Sequence, residues 1–246
     1  MGEAHFLCSE GEASPLNLSF DFKDFNMDLF PLYNSLKISA IATSVAFVVG
    51  VFAAYAVMRL PRALAGICDT VLTIPLVLPP TVVGYFILVW LSPKSFIGAR
   101  LQEWFAVVIT MRWYASVIAV AIIAFPFIYR TVRGAFESFD RNLLDAGRTL
   151  GLSEPYIFFR ILLPNCKQVI LAGTALAFAR GLGEYGATSM VSGYIAGRTA
   201  TVSTSVAYFW QINQDDAALY WVIINLTMSF VFMMMINAFN RPRSRG

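Results

Sequence analysis

The sequence predicts an all-α fold, that of a polytopic helical membrane protein with about five transmembrane helices. Hydrophobic residues make up 58% of the chain and charged residues only 13%, whereas an ordinary soluble domain has roughly 25% charged residues. A helix that spans a bilayer needs about 20 predominantly apolar residues, and five segments reach or approach that length. Lys and Arg are concentrated in alternate connections between these segments, as expected of a multi-pass protein.

The five predicted spans divide the chain into an outer arm, a membrane domain and a basic tail. The arm covers residues 1–34, the transmembrane domain 35–240 and the tail 241–246. The first two spans contain charge-free runs of 21 and 24 residues, and the fourth is apolar except for Arg180 and Glu184. The spans lie at about 36–58, 70–93, 113–131, 168–190 and 217–239.

The distribution of Lys and Arg predicts the orientation of these spans. One side of the predicted membrane domain carries 11 of these residues in its connections, and the other side carries 5. Short loops rich in Lys and Arg stay in the cytoplasm, so we expect the N-terminus outside and the C-terminus in the cytoplasm. The net charge of +3 therefore reflects topology and gives no reason to expect nucleic-acid binding.

The N-terminal arm lacks a basic start followed by an apolar run, so it does not have the pattern of a cleavable signal peptide. Its segment LNLSFDFKDF alternates apolar and polar residues, which is typical of a strand or of an amphipathic segment at the membrane interface. Cys8, Cys68 and Cys166 show no spacing typical of a disulfide framework or a metal site.

The residue types that catalysis requires are scarce in this chain. Its single histidine, His5, lies in the arm, which excludes a bis-His haem between helices and a His-rich metal site. No G-x-x-x-x-G-K-[ST] phosphate loop occurs, and no Ser/His or Cys/His pair is available for nucleophilic catalysis in the membrane. We therefore expect no catalytic activity, cofactor or metal in this chain, and a transporter or channel subunit is favoured over an enzyme.

A charged stretch, DAGRTLGLSEPYIFFRILLP at residues 145–164, interrupts the apolar sequence on the predicted cytoplasmic side. A helix-compatible segment precedes Gly151, which permits a sharp turn, and Ser153 is placed to cap a second helix that ends near Pro164. Leucines give this predicted hairpin, residues 142–165, an apolar side typical of a surface that docks into a groove on a partner. An amphipathic hairpin lying on the membrane surface is the alternative.

The residues of this hairpin resemble the cytoplasmic signature of ABC importer permeases, E-A-A-x3-G-x9-I-x-L-P. Every spacing is kept, while Asp replaces the first Glu and Gly replaces the second Ala. The matching residues are Asp145, Ala146, Gly147, Gly151, Ile161, Leu163 and Pro164. The resemblance implies a coupling element that sits in a cleft of a separate ATPase subunit. The ATPase-coupling residues predicted on this basis are Leu144, Asp145, Ala146, Gly147, Gly151, Leu152 and Pro164.

Three further stretches resemble the molybdate permeases among these importers: PLVLPPTVVGYFIL (75–88), LAFARGLGEYGATSMVSG (176–193) and AGRTATVSTSVAY (196–208). The resemblance implies a type I permease in the lipid of a bacterial inner membrane, working as a homodimer. Its implied partners are a cytoplasmic dimer of ATPase subunits, which use ATP and Mg, and a periplasmic binding protein that delivers molybdate or tungstate. It also implies a start near Met27, so we expect residues 1–26 to be dispensable.

Pro79 and Pro80 are candidates for the permeation path or its gate. Neither can donate a backbone hydrogen bond, so the second span should be kinked or broken. Carbonyl groups released in this way must face protein or water rather than lipid. A cavity or a dimer interface next to Gly84 is therefore predicted, and a kink with only a packing role is the alternative.

Arg180, Gly183, Glu184 and Gly186 are the other candidates for the path or gate. Arg180 and Glu184 are four residues apart and would share one face of the fourth span, where charged side chains belong in the bundle interior or along a water-filled path. The two glycines permit close approach of helices. A self-neutralising ion pair that only locks helices together is the alternative interpretation.

Two classes of function therefore stay open at this point. The first is an importer permease for molybdate, with tungstate, sulfate or thiosulfate as alternative substrates. The second is a non-transporting membrane subunit that anchors a peripheral complex. The signature spacing in the cytoplasmic hairpin favours the first class.

Overall fold

The computed structural model describes residues 28–105 and 108–239, and all regular secondary structure within these ranges is helical. In this part of the chain, eleven α-helices and one π-helical turn, Phe158–Leu162, follow one another. The α-helices are α1 Phe30–Met58, α2 Arg62–Val77, α3 Pro80–Leu91, α4 Phe96–Phe105, α5 Trp113–Glu137, α6 Arg141–Thr149, α7 Glu154–Ile157, α8 Leu163–Leu182, α9 Gly186–Val191, α10 Val202–Gln211 and α11 Asp215–Phe239. The predictions for residues 1–26, for Cys8, for a start near Met27 and for the tail 241–246 lie outside the described residues.

Within residues 28–105 and 108–239, four helical segments are long and apolar enough to cross a membrane: Phe30–Met58, Trp113–Glu137, Glu154–Leu182 and Asp215–Ile236. A fifth crossing results if α2 and α3, which meet at a bend of 105°, count as one span. The predicted fold class, a helical membrane protein of about five spans, is confirmed. The prediction that the second span is broken near its prolines is also confirmed, because Pro79 and Pro80 stand at the bend.

The core of the bundle lies between α1, α5 and α8. α1 and α5 form the most extensive helix pair, and α8 packs against both. Helices in a bilayer gain little from hydrophobic burial, so close packing of small side chains stabilises their association. An added Cβ at Gly50 of α1 would lie 3.1 Å from Ile128 of α5, which shows how closely these helices approach. The alanines of α1, α5 and α8 without solvent exposure are Ala42, Ala54, Ala115, Ala119, Ala124 and Ala177.

α11 lies at the edge of the bundle. Only 11% of its most apolar window is buried, against 61% for the window in α5. Its outward side chains, which include Leu226, Phe230 and Met234, are apolar and more than half exposed. Such a surface is compatible with lipid or with another chain in the membrane.

The first four spans differ in extent from their predicted bounds. α2 begins at Arg62 rather than near residue 70, and α5 ends at Glu137 rather than near residue 131. α1 begins at Phe30 rather than near residue 36, since Pro31 lies in the first turn, where its missing N–H is not needed. The fourth span was expected at 168–190, but its helix runs from Glu154 to Leu182.

Pro164 does not separate the hairpin from the fourth span, contrary to the prediction. A proline inside an α-helix removes a hydrogen bond and clashes with the carbonyl group four residues earlier. Here the π-helical turn widens the helix just before Pro164, and the Leu163 amide donates to the Phe158 carbonyl group. The side chain of Asn165 donates to the Ile161 carbonyl group (2.6 Å). The helix therefore passes through Pro164 without ending.

Candidate functional site

The predicted hairpin is present, and its turn lies at Gly151. Asp140 caps α6, because its carboxylate accepts a hydrogen bond from the Asn142 amide (2.9 Å). Gly151 has φ +73°, a conformation that glycine adopts without the steric cost of a Cβ. Ser153 stands at the cap position of α7, but its side chain makes no capping hydrogen bond, so that prediction is wrong.

The predicted coupling residues fall on two sides of the hairpin. Leu144 is buried, and an added Cβ at Gly147 would lie 3.3 Å from the side chain of Ile157, so both residues face the inside of the hairpin. The other members are on or near the surface: Asp145, Ala146, Gly151 and Pro164 are exposed and Leu152 is partly buried. The apolar groups that α6 and its end present outwards are Leu143 and Leu150, at 52% and 79% exposure. A docking partner would therefore meet these two leucines, while Leu144 supports the hairpin from within.

Glu154 ties both arms of the hairpin to the end of α1. Its carboxylate accepts hydrogen bonds from Arg148 Nε of α6 (2.7 Å) and from Arg59, which follows α1. Arg148 also donates to Asp145 (2.8 Å). Hydrogen bonds to Glu154 and Asp145 raise the pKa of Arg148 above its ordinary value. The guanidinium of Arg59 lies over the ring of Tyr55, 4.2 Å from the centroid, which fixes the α1 side of this network.

The two helix breaks of the membrane domain meet each other. One break separates α2 from α3, and the other separates α8 from α9. An added Cβ at Gly84 of α3 would lie 2.7 Å from Ala187 Cα of α9, and one at Gly186 would lie 3.0 Å from Pro80 Cβ. The structure therefore brings two of the predicted path residues, Pro80 and Gly186, together where α3 crosses α9.

This crossing lies inside the bundle. An added Cβ at Gly181, just before the second break, would lie 2.9 Å from Val120 and 3.6 Å from Ser39. At 1.5 Å per residue, Ser39 is roughly 14 Å from the start of α1, and Val120 is roughly 10 Å from the start of α5. Non-helical backbone at such a depth is tolerated only where it is buried in protein or lines a water-filled cavity.

Arg180 and Glu184 form an ion pair at the second break, with 2.8 Å between Arg180 Nη1 and Glu184 Oε2. The expectation that they share a helix face is wrong, because α8 ends at Leu182. Glu184 instead accepts a hydrogen bond from the Ala187 amide (2.9 Å), which holds its carboxylate at the start of α9. The Glu184 side chain is 1% exposed and that of Arg180 is 35% exposed. The carboxylate is therefore fixed, while part of the guanidinium stays accessible.

A cavity of about 460 Å³ opens beside the second break. It is lined by Gly183 and Tyr185 from the break, by Ser203 of α10, and by Asn225 and Ser229 of α11. Ser203 Oγ and Asn225 Oδ1 are buried and have no hydrogen-bond partner in the described part of the chain. Gly183, one of the predicted gate residues, thus borders open space rather than a neighbouring helix.

Sequence reasoning missed a charged cluster between α2 and α5. Arg133 forms ion pairs with Asp69 across the two helices and with Glu137 along α5 (2.8 Å). The hydroxyl group of Tyr129 donates to Asp69. Asp69 stands directly before the second predicted span at 70–93, and Arg133 stands just after the third, which was predicted to end near residue 131. Both were therefore assigned to connections, although α2 and α5 extend through them.

Comparisons with known proteins identify the family of this chain. Residues 46–245 match the family described as the binding-protein-dependent transport system inner membrane component. The molybdenum transport system permease protein ModB of Escherichia coli K12 is 37% identical over 202 residues, which cover 82% of this chain and 88% of that protein. The protein of the same name from Haemophilus influenzae is 35% identical over 185 residues, 75% of this chain and 81% of that protein.

Solved structures show the same fold at lower sequence identity. The crystal structure of a bacterial alginate ABC transporter, in complex with an alginate pentasaccharide-bound periplasmic protein, contains a chain that matches with a TM-score of 0.69. That match covers 90% of this chain and 81% of the other, at 16% identity. Together with the helical spans, the family match shows that this chain is a multi-pass membrane protein and belongs to the inner membrane components of binding-protein-dependent transport systems.

Proposed function

We propose that this chain is the membrane-spanning permease subunit of an ATP-driven importer that carries molybdate across the bacterial inner membrane. Two relatives named as molybdenum transport permeases, 37% and 35% identical to it, support molybdate over sulfate or thiosulfate. Tungstate, a tetrahedral dianion of nearly equal size, would enter by the same route. The chain itself performs no catalysis, and a separate ATPase subunit uses ATP and Mg.

In the proposed assembly, two copies of this chain pair in the membrane. The hairpin faces the cytoplasm and contacts a dimer of ATPase subunits, while a periplasmic binding protein delivers the anion from outside. The excess of Lys and Arg on the hairpin side, 11 residues against 5, supports this orientation. The exposed Leu143 and Leu150 offer the ATPase an apolar surface to bind.

The observation that carries the proposal is the continuous helical segment Glu154–Leu182. This segment of 29 residues is roughly 43 Å long at 1.5 Å per residue, so it is long enough to join the cytoplasmic hairpin to the crossing of α3 and α9. The hairpin and Arg180 stand at opposite ends of this one helical segment. A displacement of the hairpin by the ATPase therefore moves the Arg180 end of α8 relative to α3 and α9.

The groups at the crossing suit the passage of a dianion. Arg180 supplies positive charge, and the N-terminus of α3 adds the partial positive charge of a helix end. Glu184 offsets the charge of Arg180, which prevents tight retention of the anion. Conduction requires sites that attract an ion but release it again, and a neutralised arginine beside a helix end meets both conditions.

Uptake of radiolabelled molybdate tests the proposal. Cells that lack their own molybdate importer would express this chain with its ATPase and binding-protein partners. We expect ATPase-dependent uptake that excess tungstate suppresses and excess sulfate does not. Equal suppression by sulfate would overturn the substrate assignment. Absence of uptake from an assembled complex would overturn the transport function and favour a membrane anchor.

A further inference from the structure

We propose that Asp69 is a positioning residue of the translocation machinery: it holds α2 against α5 and thereby sets the place of α3 at the crossing with α9. This inference rests on the proposed function for its consequence in transport, but the placement of α2 can be tested without any substrate. The polar contacts of the Asp69 side chain are with α5, so it acts on α3 through the helix that carries it.

The side chains of Asp69, Tyr129 and Arg133 form a cluster in which each contacts the other two. The Asp69 carboxylate forms an ion pair with Arg133 and accepts a hydrogen bond from the hydroxyl group of Tyr129. Arg133 Nη1 in turn donates to that hydroxyl group (3.1 Å). Tyr129 is 1% exposed, so the α5 side of the cluster is fixed in the core. Asp69 is the residue of α2 that takes part in this cluster.

α2 has little else to hold it in the bundle. Ala65 is its only buried residue, and Ile67, Val71 and Val77 on its surface are 62%, 58% and 85% exposed. Partly buried side chains of α2, Cys68 among them, touch the core cluster. The polar contacts of Asp69 therefore add a specific tie between α2 and α5 to this limited apolar packing.

The position of α2 is passed on to α3. Only residues 78–79 separate the two helices, and Pro79 and Pro80 restrict the backbone dihedrals at the 105° bend. α3 also packs tightly against α9, because an added Cβ at Gly84 would overlap the backbone of Ala187. A shift of α2 along or away from α5 must therefore disturb the crossing beside Arg180.

The cluster contains its own control. Arg133 also pairs with Glu137, four residues further along α5. In Asp69→Asn, Arg133 keeps the Glu137 carboxylate, so the bundle folds without an unpaired arginine, while the contact between α2 and α5 loses its charge. In Glu137→Gln, Arg133 likewise loses one carboxylate, but the contact between the helices remains. Each variant removes one negative charge beside Arg133, and only Asp69→Asn weakens the contact between α2 and α5.

The labelling rates of two native cysteines measure whether α2 moves away from α5. Cys68, next to Asp69, is partly covered, whereas Cys166 is buried in the core. The purified chain in lipid nanodiscs would react with N-ethylmaleimide, and mass spectrometry would follow each cysteine separately. We expect Asp69→Asn to speed labelling of Cys68 about fivefold, the factor that corresponds to the upper end of the range for a solvent-accessible ion pair. Labelling of Cys166 should stay unchanged. Glu137→Gln should match the wild type at both cysteines, and Asp69→Glu should restore most of the protection.

The second readout is the ratio of molybdate transported to ATP hydrolysed in the reconstituted complex. We expect Asp69→Asn to lower this ratio, and Glu137→Gln to leave it unchanged. Equal labelling of Cys68 in Asp69→Asn and wild type would overturn the inference. An equal rise in the labelling of Cys166 would also overturn it, because the substitution would then loosen the whole bundle rather than α2 alone. Faster labelling of Cys68 with an unchanged transport ratio would also overturn it. Labelling needs no substrate, so failure of wild-type molybdate uptake would refute the proposed function without deciding the role of Asp69 in placing α2.

Discussion

Replacing Gly84 with alanine should separate α3 from α9 and impair both stability and transport. The added Cβ would lie 2.7 Å from Ala187 Cα, 2.9 Å from its carbonyl oxygen and 2.9 Å from Met190 Cβ. Two of these three atoms, Ala187 Cα and its carbonyl oxygen, belong to the backbone. Backbone atoms cannot rotate away as the end of a flexible side chain can. The helices themselves must therefore move.

The size of the effect follows from these distances. Raising the separation from 2.7 Å to an ordinary contact of 3.4 Å requires a movement of about 0.7 Å. Overpacking of this kind costs about 1–3 kcal/mol in a close-packed interior. For a chain of this size, 1 kcal/mol corresponds to roughly 2–4 °C in Tm, so we expect Gly84→Ala to lower Tm by roughly 2–12 °C.

Thermal unfolding of the purified chain in detergent measures the stability, and molybdate uptake in cells measures transport. Gly134→Ala in α5 is the matched control, since nothing lies within 4 Å of its added Cβ. Alanine is favoured over glycine inside a helix by roughly 0.5–1 kcal/mol, so this control should keep or slightly raise Tm. If Gly84→Ala kept the wild-type Tm and uptake while Gly134→Ala behaved as expected, the close crossing of α3 and α9 would be refuted.

Three other predictions concern the hairpin, the cap of α10 and the ion pair. Gly151→Val places a β-branched side chain at φ +73° and should cost roughly 1–2 kcal/mol; we expect weaker co-purification with the ATPase, and wild-type binding would contradict the tight turn. Thr201→Val removes the hydroxyl group that caps α10 and should cost about 0.5–2 kcal/mol; an unchanged Tm would show that the cap does not stabilise the chain. Arg180→Gln and Glu184→Gln should each reduce uptake, and the double variant should recover much of it only if the pair is purely structural. Normal uptake by Arg180→Gln alone would exclude both the structural and the anion-attracting role.

The spans could be predicted from the sequence because the bilayer imposes its own length requirement. About 20 apolar residues must follow one another whatever the helix packs against, and windows of composition detect this directly. No comparable length requirement predicts that α8 ends at Leu182. Gly181 does mark a close helix approach, but Gly183 borders open space. The break also depends on Glu184, which accepts a hydrogen bond from the start of α9, and on α3 packing against α9. These contacts join segments that are distant in sequence.

The sequence singles out residues as candidates for the site, but it does not predict how they are arranged. The sequence singled out Pro80 and Gly186 by their residue types, yet no local pattern predicts that they face each other. Asp69 was missed for a related reason. A single carboxylate at the edge of an apolar run has the same local appearance whether it meets water or an arginine on another helix, and only the packing of α2 on α5 distinguishes the two.

The π-helical turn Phe158–Leu162 sets a rotational register between the hairpin and the fourth span. Such a turn in effect inserts one residue into an α-helix, and one residue corresponds to about 100° of rotation about the helix axis. The face of α7 that carries Glu154 is therefore rotated by that angle from the place it would have on an uninterrupted α-helix with α8. A one-residue deletion within this turn would restore the regular α-helical repeat and swing Glu154 around the axis, away from Arg59, while Arg180 kept its place in the membrane.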